Sequence, residues 1–355
     1  MRKFYLIALF LMLILLIGVF PQEGVTTKKA SGLSGCGNKE TIGRVYVGGS
    51  QGLVVNFRPE EPPEVVLDES LEPFTVAFEI KNRGEYNLKE GEASIILSGI
   101  NAEDFGLEGS ISSSISNNRD PIPGRVKIGN DIVEPASGEI LFDSPAGYRV
   151  DLEQDFNARI RADICYFYNT EAVSNLCLKY NPIQRRPELD VCRIDSSKST
   201  ENSGSPIHFE NFRESRSGTR EVRFSVDVIN VGGGDVFIPE EFRDDTPCIE
   251  DLEPNSMERG LVKNYIYVEV IPQSSVYGVT CSRLNSATNG LVKLVDGKAR
   301  IDCAVSTERA QDTAFEVPVK LFAAYSYRDF VEKQISVENA RIRGLEDTGS
   351  GTLYT

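Results

Sequence analysis

The sequence predicts an all-β protein, two tandem antiparallel β-sandwiches behind an N-terminal hydrophobic helix. Three observations carry this reading. "FTVAFEIKNRG" from Phe74 and "VRFSVDVINVG" from Val222 both alternate apolar and polar side chains, and both end in Asn-x-Gly, at Asn82 and Gly84 and again at Asn230 and Gly232. Further on, "FNARIRADICYFYNT" from Phe156 and "FEVPVKLFAAYSYRD" from Phe315 share an apolar register and reach Tyr166, Phe167, Tyr168 in one case and Tyr325, Ser326, Tyr327 in the other. Ahead of both copies stands one unbroken apolar run, Phe4 to Phe20. Period-2 alternation is the mark of a strand with one buried face, and two landmarks recurring in the same order indicate an internal duplication. The second pair of landmarks is spaced more widely, so the second copy holds about eleven extra residues, a change that surface loops absorb cheaply.

Residues 1–25 come first. Arg2 and Lys3 precede the apolar run, which as a helix spans roughly 25 Å, the short end of a membrane crossing. Export follows, with three outcomes left open: a retained anchor, a cleaved signal peptide, or a lipid anchor at Cys36, where "LSGC" resembles a lipobox. The basic residues flanking the run slightly favour a cytoplasmic N-terminus. Residues 26–41 read as a linker. The first sandwich occupies 42–182, with strands expected in "GRVYVGG", "GLVVNF", "ASIILSG", "GRVKIG", the Tyr run and "SNLCLKY". Within it Pro62 and Pro63 cannot donate to a ladder and imply an edge or a kink. Asn and Gly at the ends of the two matching strands are expected to supply the positive φ of tight turns.

"NPIQRRPELD", 181–190, reads as a short stiff boundary. The second sandwich runs from 183 to 345 through "LDVCRI", "NYIYVEVI", "LVKLVDGKARIDCAV" and "EKQISV", with Asp296-Gly297 as a hairpin turn, and 346–355 form a tail. Ala102 to Phe105 and Thr307 to Thr313 could each make a helical turn.

Seven cysteines behind a signal-like start fit an oxidising compartment. Cys165 and Cys177 flank an expected hairpin with its turn near "NTEAVSN" and are expected to bridge. Cys281 with Cys303, and Cys192 with Cys248, complete one of fifteen pairings open to six cysteines, leaving Cys36 over.

Other site chemistry is sparse. The sequence has one histidine and no C-x-x-C, which argues against zinc, and His208 would have to serve any His-dependent catalytic arrangement alone. Asp244, Asp245, Glu250 and Asp251 lie in an acidic loop that could offer oxygens to calcium, although their spacing matches no calcium motif, and no other cofactor is implied. Tyr166, Tyr168, Tyr325 and Tyr327 share strand faces and read as core residues bonding a neighbouring backbone. Trp is absent, which weakens a lectin-like reading, and no Asn begins a glycosylation sequon. Acidic residues outnumber basic ones 53 to 38, so a net charge of −15 repels nucleic acid. The longest polar insertions, 108–124 and 195–218, are the natural contact loops.

The two strand-to-Asn-x-Gly stretches resemble immunoglobulin-like modules of the CARDB kind, found in archaeal and bacterial surface proteins, and "CYFYNTEAVSNLC" on an exported acidic chain is similar to archaeal cell-surface proteins. The resemblance spans roughly residues 42 to 340 and implies a binding or structural role without enzymatic activity, at the cell surface and among other envelope proteins. Such modules share no active site, so it carries over no functional residue. A solute- or metal-binding accessory lipoprotein is the alternative, and a secreted hydrolase a more distant one.

Overall fold

The structure, a computed structural model, describes residues 45–69, 72–107, 112–114, 121–142, 146–184, 189–239, 262–273 and 277–342. These belong to one compact unit, all-β and built from several mainly antiparallel sheets. In the first half the strands are β1 (Leu53–Phe57), β2 (Val65–Leu67), β3 (Ala77–Asn82), β4 (Ala93–Ser98), β5 (Ser112–Ser114), β6 (Val126–Ile128), β7 (Asp131–Val133), β8 (Gly138–Leu141) and β9 (Phe156–Leu178). In the second half they are β10 (Glu201–Asn202), β11 (Ile207–Arg216), β12 (Glu221–Asn230), β13 (Asp235–Phe237), β14 (Tyr265–Pro272), β15 (Val279–Ser282), β16 (Asn289–Lys293), β17 (Lys298–Ser306) and β18 (Phe315–Glu338).

Two strands dominate. β9 is a single strand of 23 residues where a hairpin is expected from the sequence. The physical reason is visible in its pattern: every even-numbered residue from Ala158 to Leu178 is buried, and "NTEAVSN" contains no Gly or Pro to break that alternation. β18 likewise runs through the Tyr motif and "EKQISV" without a turn. The two pair antiparallel along their whole length, from Phe315 opposite Leu178 to Val337 opposite Phe156. The repeat makes Phe167 and Ser326 equivalent, and these two residues face each other across the ladder, so a pseudo-two-fold axis passes between them.

Around this axis the halves exchange strand ends. β9 begins against β4, with Ser98 opposite Arg161, and its far end contacts β11. β18 begins against β14, with Pro272 opposite Val319, and ends beside β2, with Ser336 opposite Val65 in parallel. β16-β14-β18-β9-β4-β5 thus form the spine of a nine-stranded sheet shared by both halves. Each half adds a smaller sheet: β1-β3-β8 in the first and β11-β12-β17-β15 in the second. One apolar cluster runs through both, from Val55 and Phe78 to Phe224 and Ile301. The boundary expected at 182–183 therefore falls between strands but does not interrupt the shared sheet.

Both predicted motifs meet at this centre. Tyr166, Tyr168, Tyr325 and Tyr327 are buried, with ring centroids 5.7 to 6.5 Å apart. Tyr168 OH donates to Asn82 Oδ1 (2.9 Å), which also accepts from Gly84 N (3.1 Å), while Asn82 Nδ2 donates to Tyr86 O (2.6 Å). The second copy repeats the arrangement: Tyr327 OH and Gly232 N both reach Asn230 Oδ1 at 3.2 Å, and Asn230 Nδ2 donates to Gly234 O (2.9 Å). Neither Gly84 nor Gly232 has the positive φ expected of it. Each is needed for close approach instead, because a Cβ would stand 1.9 Å from Tyr168 OH at Gly84 and 2.2 Å from Tyr327 OH at Gly232.

Other expectations shift in detail. Residues 45–49 and 189–194, expected as strands, carry no ladder. Asp296 and Gly297 do form a tight turn with positive φ at both, but the strands on either side enter different sheets, so the turn is a sandwich corner. Residues 102–106 and 308–309 are turns, not helix. β2 follows Pro62 and Pro63 and pairs only with β18, the edge position that proline permits.

Replacing Tyr168 or Tyr327 by Phe removes a hydroxyl and leaves the buried Asn82, or the half-buried Asn230, short of a partner. Each variant is expected to lose about 1–3 kcal/mol in urea unfolding, and Gly84→Ala more than either, because its clash is with the same ring. A midpoint unchanged in Tyr168→Phe would contradict this account.

Candidate functional site

The described chain starts by crossing the junction of the two halves, and a groove of about 400 Å³ lies beneath it, lined in part by Tyr46, Glu85, Arg125, Asn169 and Glu171. Glu85, next to the first Asn-x-Gly turn, holds three backbone N–H groups: Val47 (2.9 Å), Gly48 (2.9 Å) and, from the second half, Gly204 (2.6 Å). Arg125 Nη2 donates to Gly48 O. Tyr46 OH donates to Glu171 Oε2 (3.2 Å), and Lys320 Nζ reaches the other oxygen at 2.7 Å. Burial, then the charge and bond of Glu171 and the charges of Glu85 and Glu201, hold the Tyr46 phenol far above its usual ionisation range, so it acts as a hydrogen-bond donor. The groove's carboxylates are thus engaged in tying backbone to backbone.

From the rim of this groove the hairpin β6–β7 projects, with Val126 opposite Val133 and Lys127 opposite Ile132. Val126, Ile128, Ile132 and Val133 are each about half exposed or more, 48 to 64 %, and none belongs to a core cluster. A two-stranded hairpin with aliphatic side chains open on both faces is an unusual arrangement for isolated surface strands.

The predicted site residues are placed as follows. Cys165 and Cys177 lie on one continuous strand, roughly 40 Å apart at strand rise, so their expected bridge is corrected. Cys177 is joined to Cys192, with Cα atoms 5.9 Å apart, which also corrects the Cys192–Cys248 pairing. Cys281 and Cys303 are joined as direct cross-strand partners on β15 and β17. Cys165 is itself disulfide-bonded. Cys36, Cys248, Asp244, Asp245, Glu250, Asp251 and the apolar run of 4–20 lie outside the described residues. Among the described residues no group of three Cys, His, Asp or Glu is placed to hold a metal, and no helix is long and apolar enough to cross a membrane. His208 sits on β11 with Nε2 3.1 Å from Gly49 O and Nδ1 4.0 Å from Glu210.

The insertion 195–218, read as a contact loop, is largely structural. Ile207, Phe209 and Phe212 enter the core, and Ser205 and Thr170 bury their hydroxyls 2.8 Å apart beside Ile207 O. Its Ser203–Pro206 segment packs against both Asn-x-Gly turns, Gly204 beside Gly84 and Pro206 beside Gly232. Of 108–124 only Ser112–Ser114 and 121–124 are described. No protein-family model matches this chain, and no curated protein is significantly similar to it.

One buried acid was not anticipated. Glu214, on the inward face of β11, accepts from Cys177 N (2.5 Å) and sits 3.3 Å from Lys198 Nζ, with its side chain fully enclosed. Burial lifts its carboxyl to about 7, against the opposing pull of the Cys177 N–H and Lys198. Alternation could have marked it as inward-facing, but nothing in the sequence marks an inward glutamate as paired. Its folded value lies above the unfolded one, so between the two the native state binds the extra proton and stability falls as pH rises from 4.5 to 7. The loss is about 2–3 kcal/mol. Comparing the pH dependence of unfolding in the native chain and in Glu214→Gln isolates this contribution, and the variant is expected to lose that slope; identical profiles would refute the assignment.

Proposed function

We propose that this chain is a non-enzymatic cell-surface protein. It is exported, held at the membrane by its N-terminal segment, and displays two immunoglobulin-like halves outside for contact with other envelope proteins. The observation that carries the reading is the hairpin β6–β7, four aliphatic side chains standing in solvent beside a groove whose charges are already engaged in structure. The disulfides add support, since they fit an oxidising compartment. In this role the shared sheet is a rigid platform, and the affinity resides in what projects from it.

Two measurements test the two parts of the reading. Membrane fractionation with mass measurement of the N-terminus is expected to find the chain in the membrane fraction with residues 1–25 or a lipid attached; recovery as a soluble, unmodified chain would remove the anchor. In crosslinking on native envelopes, Ile128→Ser with Ile132→Ser is expected to lose the protein neighbours captured by the native chain, while its thermal stability stays unchanged. Retained neighbours would exclude the hairpin.

A further inference from the structure

The two halves differ on the outward faces of their smaller sheets, although Glu79 of the first has an acidic counterpart, Asp227, in the second. In the first half, β3 presents Glu79 between Asn56 of β1 and Glu139 of β8, and β8 is the edge of the sheet. The repeat places Arg223 where the first half has Thr75, and Ser225 where it has Ala77. The second-half sheet also gains a fourth strand, β15, which the Cys281–Cys303 bridge pins to β17. Its outward residues extend two cross-strand rows. One runs Arg213, Ser225, Asp302, Ser282 and the other Ser215, Arg223, Ala304, Thr280.

These rows floor an open cleft of about 620 Å³, to which Arg300 also contributes. A neighbouring hollow of about 470 Å³ shares Arg300 and adds Arg283, Lys293 and Lys298. The acids nearby neutralise only part of this charge. Asp302 takes Arg300 Nε (3.1 Å) while Arg300 Nη2 donates to Ser225 Oγ (2.7 Å), Glu221 takes Arg223 Nε (2.8 Å) and Asp227 takes Lys298 (2.8 Å). Arg213 makes no ion pair among the described residues, and the terminal nitrogens of Arg223 carry no intramolecular bond in this network. A positive face on a chain of net charge −15 runs against the overall composition.

We propose that the outward face of β11-β12-β17-β15 binds an acidic polysaccharide, its carboxylate or sulfate groups held by Arg213, Arg223 and Arg300 and its hydroxyls by Ser215, Thr280 and Ser282. Arginine presents a planar fork that matches carboxylate and sulfate oxygens two at a time. In the cleft exposed arginines lie beside serine and threonine hydroxyls, while the exposed Val295 is confined to the neighbouring hollow, and this mixture of charge and hydroxyl favours a hydroxylated anionic polymer over an acidic protein. The surface reading above supplies only the setting in which such a polymer is met; the site itself is read from this sheet.

The test uses the full-length chain in detergent micelles, with polygalacturonate as probe and dextran as its uncharged counterpart. Binding to polygalacturonate and not to dextran is expected, with Arg223→Ser and Arg300→Ser each weakening it about tenfold, the scale of a lost charge-assisted bond. Arg213→Ser, which breaks no internal ion pair, is expected to weaken it comparably and guards against a folding defect in the other two. Lys81→Ser, on the equivalent strand of the first half, should leave binding unchanged. Absence of binding at low salt, or equal affinity in all four variants, overturns the proposal. So does polyglutamate or a DNA oligonucleotide of matched charge binding as tightly, since that would make the face a generic polyanion surface. Failure here leaves the envelope crosslinking unaffected, so the two readings stand or fall separately.

Discussion

The ladder between β9 and β18 is the constraint on which the rest depends. Over its length each strand supplies the other with backbone partners, and each carries the chain out of one half and into the other. Without it the tyrosine cluster would have no second side, β2 would lose the edge on which it rests, and β11 would lose the wall behind Ile207. The geometry is that of a two-fold dimer interface made within one chain: equivalent residues meet on the axis and the same contacts occur twice around it. Linking the two copies covalently removes the concentration dependence that such an interface would otherwise have.

Two polar arrangements make that ladder specific. A strand pair with strict alternation can slip only in steps that move its whole apolar set, and the hydroxyls of Tyr168 and Tyr327 forbid such a slip because each must reach an asparagine on a different sheet. Buried tyrosines displace water over about 150–250 Å² each, yet their hydroxyls demand partners, and Asn82, Asn230 and Thr170 supply them to Tyr168, Tyr327 and Tyr325. The disulfides act at a distance from this centre. By loop length alone the Cys177–Cys192 closure, 15 residues apart, contributes about 3 kcal/mol, and it ties the far end of β9 to the irregular stretch after it.

Much of this was legible in the sequence. Alternation over 74–80 and 222–228, the two Asn-x-Gly turns and the paired Tyr motifs indicate the all-β class and the duplication, and the tyrosines read as core. Pairing of the two Tyr runs with each other was not legible, because period 2 reports a buried face but not its partner. The same limit produced the hairpin expected at 165–177: two cysteines with polar residues between them suggest a turn, whereas only the absence of Gly and Pro argues for continuation. The places of Gly84 and Gly232 are legible but their cause is not, since a glycine required by a neighbouring ring looks in sequence like one required by its own φ. The arginine face is not legible in the sequence for a related reason. Its members are scattered over four strands, from Arg213 to Arg300, and only strand pairing collects them.

Duplication also explains where novelty can be tolerated. The residues nearest the axis are locked by symmetry, because a change in one copy of the Asn–Tyr arrangement disturbs a ladder that serves both. The outward faces carry no such obligation, and there the copies have separated: Thr75 and Ala77 on one side, Arg223 and Ser225 with an added strand on the other. The first half spent its freedom on an aliphatic hairpin at the groove, the second on a charged sheet stapled by Cys281 and Cys303. If both proposed surfaces bind, two unlike surfaces on one frame would hold two unlike ligands at a fixed separation, which neither half could do as a free-standing module on a flexible tether.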